Sequence, residues 1–189
     1  MRVGTDEAGK GPVLGSMFAA AVYADPDALP PVDDSKRLAP ARREELDGEI
    51  RAACEVGLGE VSVAEIDDPE TDMNTLTVVA HARALDDLGV EGVPGLADAG
   101  DVDADRFARR VREEASVDVA LDARHRADET DPVVAAASIV AKVARDAHVE
   151  RLEDEYGTDV GSGYPGDQTT RDFLGEYVRR EGDLPGCAR

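Results

Sequence analysis

Apolar and polar positions alternate along this chain with two periods, one suited to strands and one to helices. Residues 2–5 are strand-like, and Val13–Ala24 (VLGSMFAAAVYA) is a run of small apolar residues that reads as a buried strand paired with them. Asp25–Pro31 holds Pro26, Pro30 and Pro31 and predicts a loop. Pro40 opens an amphipathic helix to about Ala53, Val56–Ile66 alternates as a strand, and Asp67–Thr71 turns. Met73–Leu88 places Leu76, Val79, Ala80, Ala84, Leu85 and Leu88 at helical spacing. Val93–Ala97 is a short strand delivering Asp98 at its end; Asp103–Ala115 is a helix and Val117–Leu121 another strand. Asp131 and Pro132 form an N-cap and first-turn pair for a long helix to about Tyr156. A glycine-rich loop, Gly157–Gly166, and a last helix, Thr169–Arg180, complete the pattern. Strands alternating with helices over 189 residues predict one α/β domain, residues 1–189, around a central mixed sheet.

Charge changes this picture. Forty-two acidic residues against 21 basic ones give a net charge of −21, and the only lysines are Lys10, Lys36 and Lys142. Such a surface repels nucleic acid in dilute buffer. The acidic surplus is spread along the whole chain, which argues against a disordered acidic arm. Dispersed Asp and Glu with few lysines fit a protein adapted to molar salt, where the screening length shrinks to about 3 Å. Cys54 and Cys187 have no metal-ligand spacing, and no apolar run reaches membrane-spanning length. A cytoplasmic protein with no membrane association is the expectation.

Candidate chemistry begins at Asp6-Glu7, followed by the turn Gly9-Lys10-Gly11. Adjacent residues on an extended strand face opposite ways, so these carboxylates converge only if the strand ends there and the backbone turns at Gly9. Alone, the stretch reads more simply as a strand ending in an acidic turn. Asp34-Ser35-Lys36, Asp98 and Asp128 also fall at strand ends or helix starts, where sites are usually built. Oxygen ligands without His or Cys company suit Mg²⁺ or Mn²⁺. Carboxylates converging from distant segments meet the needs of two-metal phosphodiester hydrolysis, in which the ions lie about 3.5–4 Å apart. In the long helix, Ser138, Lys142 and Arg145 form one polar stripe on an otherwise apolar or small-residue stretch. It either satisfies internal carboxylates or meets a ligand, and the spacing does not separate these. His81 reads as a surface or boundary residue; His125 and His148 are assigned no catalytic role, and the tyrosines other than Tyr164 and the phenylalanines are read as packing.

Five motifs in order carry a family resemblance: DEAGKGP at 6–12, DDSK at 33–36, LADAGDVDADRF at 96–107, RADETDPVVAAASIVAKVARD at 126–146 and GSGYPGDQTTRDFL at 161–174. Together they resemble archaeal ribonuclease HII, of the type 2 ribonuclease H family, from residue 3 to about 185. The resemblance implies a ribonuclease H-like fold with a central mixed five-stranded sheet flanked by helices. It further implies an endonuclease that hydrolyses the RNA strand of RNA–DNA hybrids, including ribonucleotides embedded in duplex DNA. The implied chemistry uses two divalent ions, Mg²⁺ or Mn²⁺, and leaves 5′-phosphate and 3′-hydroxyl ends. Carried over by position, Asp6, Glu7, Asp98 and Asp128 are catalytic carboxylates and metal ligands. Gly9, Lys10, Gly11 and Tyr164 then read the RNA–DNA junction, Lys36 contacts phosphate, and the enzyme is expected to act as a monomer.

The chain departs from the family pattern at three places. Lys10 stands where the usual motif has Arg, keeping the charge but losing bidentate reach. Arg126 replaces the usual Lys two residues before Asp128. Relatives typically continue past the Gly-Asp-Leu-Pro stretch into a further, often basic, tail, so the tail here is expected to be short for the family. Two other classes fit less well: a nucleic-acid-binding module without activity, disfavoured because all four carboxylates are present, and a small-molecule phosphatase or kinase, for which no Walker-type glycine loop is found.

The charge generates a first prediction. Folding should need molar KCl or NaCl, because self-repulsion at −21 requires screening. A circular dichroism titration from molar to low salt should show loss of structure and a falling melting temperature; an unchanged spectrum and melting point would contradict the halophilic reading.

Overall fold

The structure is a computed structural model that describes residues 1–30 and 38–189. Five strands form one sheet: β1 (Arg2–Ala8), β2 (Met17–Ala24), β3 (Glu55–Val61), β4 (Val93–Asp98) and β5 (Val119–Arg124), in the order β3-β2-β1-β4-β5. The β1–β2 and β2–β3 pairs are antiparallel, whereas β1–β4 and β4–β5 are parallel. The expected mixed α/β sheet is therefore present, with β1 at its centre. The helices are α1 (Pro40–Ala53), α2 (Val63–Ile66), α3 (Met73–Leu88), α4 (Ala104–Glu114), α5 (Pro132–Tyr156) and α6 (Gln168–Glu181).

Each face of the sheet is covered. On β2, Met17, Ala19 and Ala21 turn toward α3 and α4, joining Leu76, Leu85, Phe107 and Val111. The intervening Ala20, Val22 and Ala24 turn toward α1 and α5, joining Leu46, Ile50, Val133 and Ile139. This period-2 split explains why β2 reads as a continuous apolar run: both its faces are interior. A third cluster, Leu14, Leu152, Val160, Phe173 and Cys187, fastens α6 and the last residues to the end of α5.

Several boundaries differ from the sequence reading, each for a local reason. The first strand runs on through Ala8 because its backbone pairs with β2 as far as Ala8 opposite Phe18. The second starts at Met17, not Val13; Gly15 sits at φ +74° and interrupts the extended run, and Leu14 makes an isolated bridge to Ala188 instead. The strand expected to reach Ile66 stops at Val61, where Ser62 and Glu65 form a capping box that starts α2. The last strand lies two or three residues later than expected, over Val119–Arg124. The helices at 40–53 and 73–88 and the long helix capped by Asp131 lie where the pattern put them. Asp131 accepts from the amides of Val133 and Val134 at 2.9 and 3.3 Å and pairs with Arg2 at 2.7 Å.

Strand β3 is brought close to α3 by glycine. A Cβ on Gly59 would lie 2.1 Å from the Ala80 carbonyl oxygen and 2.7 Å from the Ala84 nitrogen. Both are backbone atoms that move only if the helix moves. Gly59→Ala should therefore destabilise the protein by about 2 kcal/mol or more, lowering the melting temperature by roughly 4–8 °C. A wild-type melting curve for that variant would show that α3 is free to shift.

Candidate active site

Three carboxylates meet at one end of the central strands. Asp6 comes from β1, Asp98 from the last residue of β4, and Asp128 from the 3₁₀ turn Ala127–Glu129 that follows β5. One oxygen from each lies within 4.8 Å of the others. Parallel pairing of β1 with β4 and of β4 with β5 puts these ends side by side. The turn is fixed in turn by Asp98, whose Oδ1 accepts from the Ala127 amide at 2.8 Å. Residue Arg126, just before it, sits at φ 58°, the one positive φ outside glycine among the described residues.

Glu7 is outside this trio. Because β1 does not end at Glu7, Asp6 and Glu7 keep the opposite orientations of strand neighbours, and each is served by a different layer. Toward α5, Asp6 is hydrogen-bonded by Ser138, whose hydroxyl accepts from Lys142 Nζ at 2.6 Å. Toward α3, Glu7 Oε2 meets His81 Nε2 at 2.9 Å, and His81 Nδ1 meets Thr5 Oγ1 at 3.0 Å. The expected convergence by a turn at Gly9 is thus corrected: the two carboxylates flank the end of one strand.

Their electrostatics differ accordingly. Burial, with the charges of Glu7 and Asp98, pushes the Asp6 carboxyl up to about 8 against the opposing pull of Ser138 and Lys142. Burial also pushes Glu7 up, but the hydrogen bond and charge of His81, together with Lys10 and its own amide, leave it below the ordinary range. Crowded, desolvated carboxylate oxygens with no nitrogen or sulfur donor in the trio fit a hard divalent cation.

Beside the carboxylates opens a cavity of about 530 Å³ lined by Glu7, Gly9, Lys10, Gly11, Arg43, Lys142, Arg145 and Tyr164, among others. Lys10, Arg43, Lys142 and Arg145 face this cavity together with five carboxylates, Glu7, Glu44, Asp146, Glu150 and Glu153, and Arg43 pairs with Asp146 at 2.7 Å. Arg145 is 4% exposed; its Nη2 donates to the Leu14 carbonyl at 2.7 Å, while Nε and Nη1 have no hydrogen-bond partner among the described residues. The α5 stripe therefore does both jobs left open by its spacing: Ser138 serves a carboxylate, and Lys142 and Arg145 also line the cavity.

The loop carrying Gly9-Lys10-Gly11 is held from several sides. Gly9 sits at φ +92°, a conformation side chains rarely adopt. Lys10 Nζ donates to the Gly100 carbonyl. Val13 donates to the Gly163 carbonyl at 2.7 Å, and Gly15 to the Cys187 carbonyl at 2.7 Å. Arg189 donates from its backbone to Val13 and from its guanidinium to Pro12, each at 3.0 Å, and to Gly9. Across the cavity, Tyr164 is 46% exposed, with its ring 3.9 Å from where a Cβ on Gly11 would sit. Its loop is tied by Asp167, which accepts from Ser162, and by Thr170, which accepts from Gly163.

Of the residues expected from sequence, Asp6, Asp98 and Asp128 come together, and Glu7, Gly9, Lys10, Gly11 and Tyr164 line the adjoining cavity. Lys36, with the whole DDSK stretch, lies outside the described residues. The expectation for His81 is overturned. It is fully buried, with both ring nitrogens engaged, and packs edge-on against Phe107 at 5.0 Å between centroids. The signal that could have found it is its place between Ala80 and Ala84 on the apolar face of α3. His148 serves packing, accepting from the Ser16 amide at 3.1 Å and lying against Phe18.

A mixed sheet of this order with carboxylates gathered at the ends of β1 and β4 and beside β5 defines a ribonuclease H-like fold. The chain belongs to the ribonuclease HII family, whose model, described as Ribonuclease HII, matches residues 3–189, and it is accordingly an RNase H hydrolase. It is 61% identical to the ribonuclease HII of Halobacterium salinarum over 100% of this chain and 89% of that one. It is 62% identical to that of Haloarcula marismortui over 100% of this chain and 90% of that one. Among solved structures, the PCNA:RNase HII complex from Archaeoglobus fulgidus matches with TM-score 0.87 and 40% identity, over 100% of this chain and 92% of that chain.

Proposed function

We propose that this enzyme cuts the RNA strand of RNA–DNA hybrids and ribonucleotides embedded in duplex DNA, leaving 5′-phosphate and 3′-hydroxyl ends. The observation that carries the reading is the Asp6–Asp98–Asp128 cluster beside a cavity that Glu7, Lys10, Lys142 and Arg145 line. Asp6, Asp98 and Asp128, with Glu7 at the rim, would hold Mg²⁺ or Mn²⁺. Two such ions supply Lewis-acid activation of water and stabilisation of the leaving oxygen.

The rest is done by the chain's own residues. Ser138 orients Asp6, and Asp98 aligns the turn bearing Asp128 through the Ala127 amide. Lys142 and Arg145 line the cavity where a phosphodiester would lie. The Gly9-Lys10-Gly11 turn lets main-chain groups approach a 2′-hydroxyl that a side chain would crowd out. Tyr164, opposite Gly11, offers a flat face to the deoxyribose after the ribonucleotide. Lys36 belongs to the same reading as a phosphate contact, and the enzyme is proposed to act as a monomer in the cytoplasm. Among the described residues, no helix is long and apolar enough to cross a membrane.

Asp98→Asn should abolish cleavage of a labelled hybrid in Mg²⁺ or Mn²⁺ while leaving the melting temperature equal or higher, because a ligand is lost and carboxylate repulsion eases. Retention of more than about a tenth of the wild-type rate, a barrier change under ~1.4 kcal/mol, would remove Asp98 from the site.

Tyr164→Ala should reduce cutting at a single embedded ribonucleotide far more than cutting of a long hybrid. Its melting temperature should scarcely change, given the exposure of the ring. Equal losses on both substrates would mean that the ring is structural and that the junction is read elsewhere.

A further inference from the structure

We propose that His81 is the positioning residue of Glu7, fixing one carboxylate oxygen so that the other is presented to the metal site, and that Thr5 fixes His81 in turn. The inference rests on the reading of Glu7 as a site carboxylate.

A fully buried imidazole is costly unless its nitrogens are satisfied, and here both are. Glu7 and Thr5 lie two residues apart on β1 and so share the face turned toward α3. The His81 ring bridges them from a helix more than seventy residues away in sequence, at 2.9 and 3.0 Å. An ionised carboxylate only accepts, so Nε2 carries the proton given to Glu7 Oε2, while the Thr5 hydroxyl, which can donate or accept, completes the hydrogen bonding at Nδ1. Phe107 meets the ring edge-on at an interplanar angle of 88°, which sets its plane.

Glu7 is constrained on its other side as well. A Cβ on Gly100 would come 3.3 Å from Glu7 Oε1, and the Gly100 carbonyl accepts from Lys10. With Oε2 committed to His81, Oε1 is the oxygen left to face a cation. A glutamate has one more rotatable bond than an aspartate, so of the four site carboxylates Glu7 gains most from an external hold. Partners behind metal ligands usually matter by 10–100-fold in metal affinity or activity.

The test compares His81→Phe, His81→Gln, Thr5→Val, Glu7→Gln and the His81→Phe/Glu7→Gln double variant in molar salt. Mn²⁺ affinity is measured by calorimetry, hybrid cleavage by kcat and KM, and folding by metal-free melting. Phe keeps the ring and the Phe107 contact but neither hydrogen bond; Gln places an amide N–H near the Nε2 position. His81→Phe should weaken Mn²⁺ binding and lower kcat by ~10–100-fold with KM for the hybrid little changed. His81→Gln should recover most of that loss, and Thr5→Val should show a smaller loss in the same direction. Adding His81→Phe to Glu7→Gln should cost nothing further, because the two act through one interaction.

Wild-type Mn²⁺ affinity and kcat in His81→Phe, or independent losses in the double variant, would overturn the proposal and leave His81 a packing residue. If His81→Phe fails to fold, His81→Gln and Thr5→Val decide: a loss for Thr5→Val with function kept by Gln supports the relay, and wild-type behaviour of Thr5→Val overturns it. Unchanged Mn²⁺ binding and cleavage in Glu7→Gln would instead overturn the assignment of Glu7, and the role of His81 with it.

Discussion

Two consecutive carboxylates on a paired strand cannot face the same way, and the site is built around that constraint. The central strand carries Asp6 into the layer of α5 and Glu7 into the layer of α3. Each helix therefore carries a polar device within an otherwise apolar face: Ser138 and Lys142 on one, His81 on the other. The sheet's two parallel pairings then bring Asp98 and the turn holding Asp128 alongside. A slip of one residue in the pairing of β1 would exchange the two carboxylates between layers and leave both without partners.

The same constraint shows what could be read from the chain before folding. Helical spacing and capping residues are local, which is why Pro40 and Asp131 mark helix starts in sequence and structure alike. Strand ends are set by partners far away, so Ala8, Met17 and Arg124 were misplaced by a few residues. The carboxylates were legible because charged residues at strand ends are conspicuous. His81 was less so: its place on the apolar face of α3 hints at burial, but nothing local points to a glutamate 74 residues away.

Cations are few in this molecule, and several of them gather in one place. The acidic excess is general, yet Lys10, Arg43, Lys142 and Arg145 line a single cavity, and two of these are among only three lysines in the chain. The same cavity is lined by Glu7, Glu44, Asp146, Glu150 and Glu153, so the hollow is of mixed charge, with cations that the rest of the surface mostly lacks. Long-range steering of a polyanion is largely screened in molar salt, so contacts in the hollow matter more than the net charge.

Residues 9–15 are held by residues 187–189, and two of those hydrogen bonds span 177 and 180 positions of sequence. A ribosome makes the glycine turn long before its brace. The sheet and its carboxylates can assemble while the chain is still growing, but the carbonyls of Gly9, Pro12 and Val13 wait for Arg189. The order of synthesis thus separates the completion of the carboxylate cluster from the final setting of the neighbouring turn.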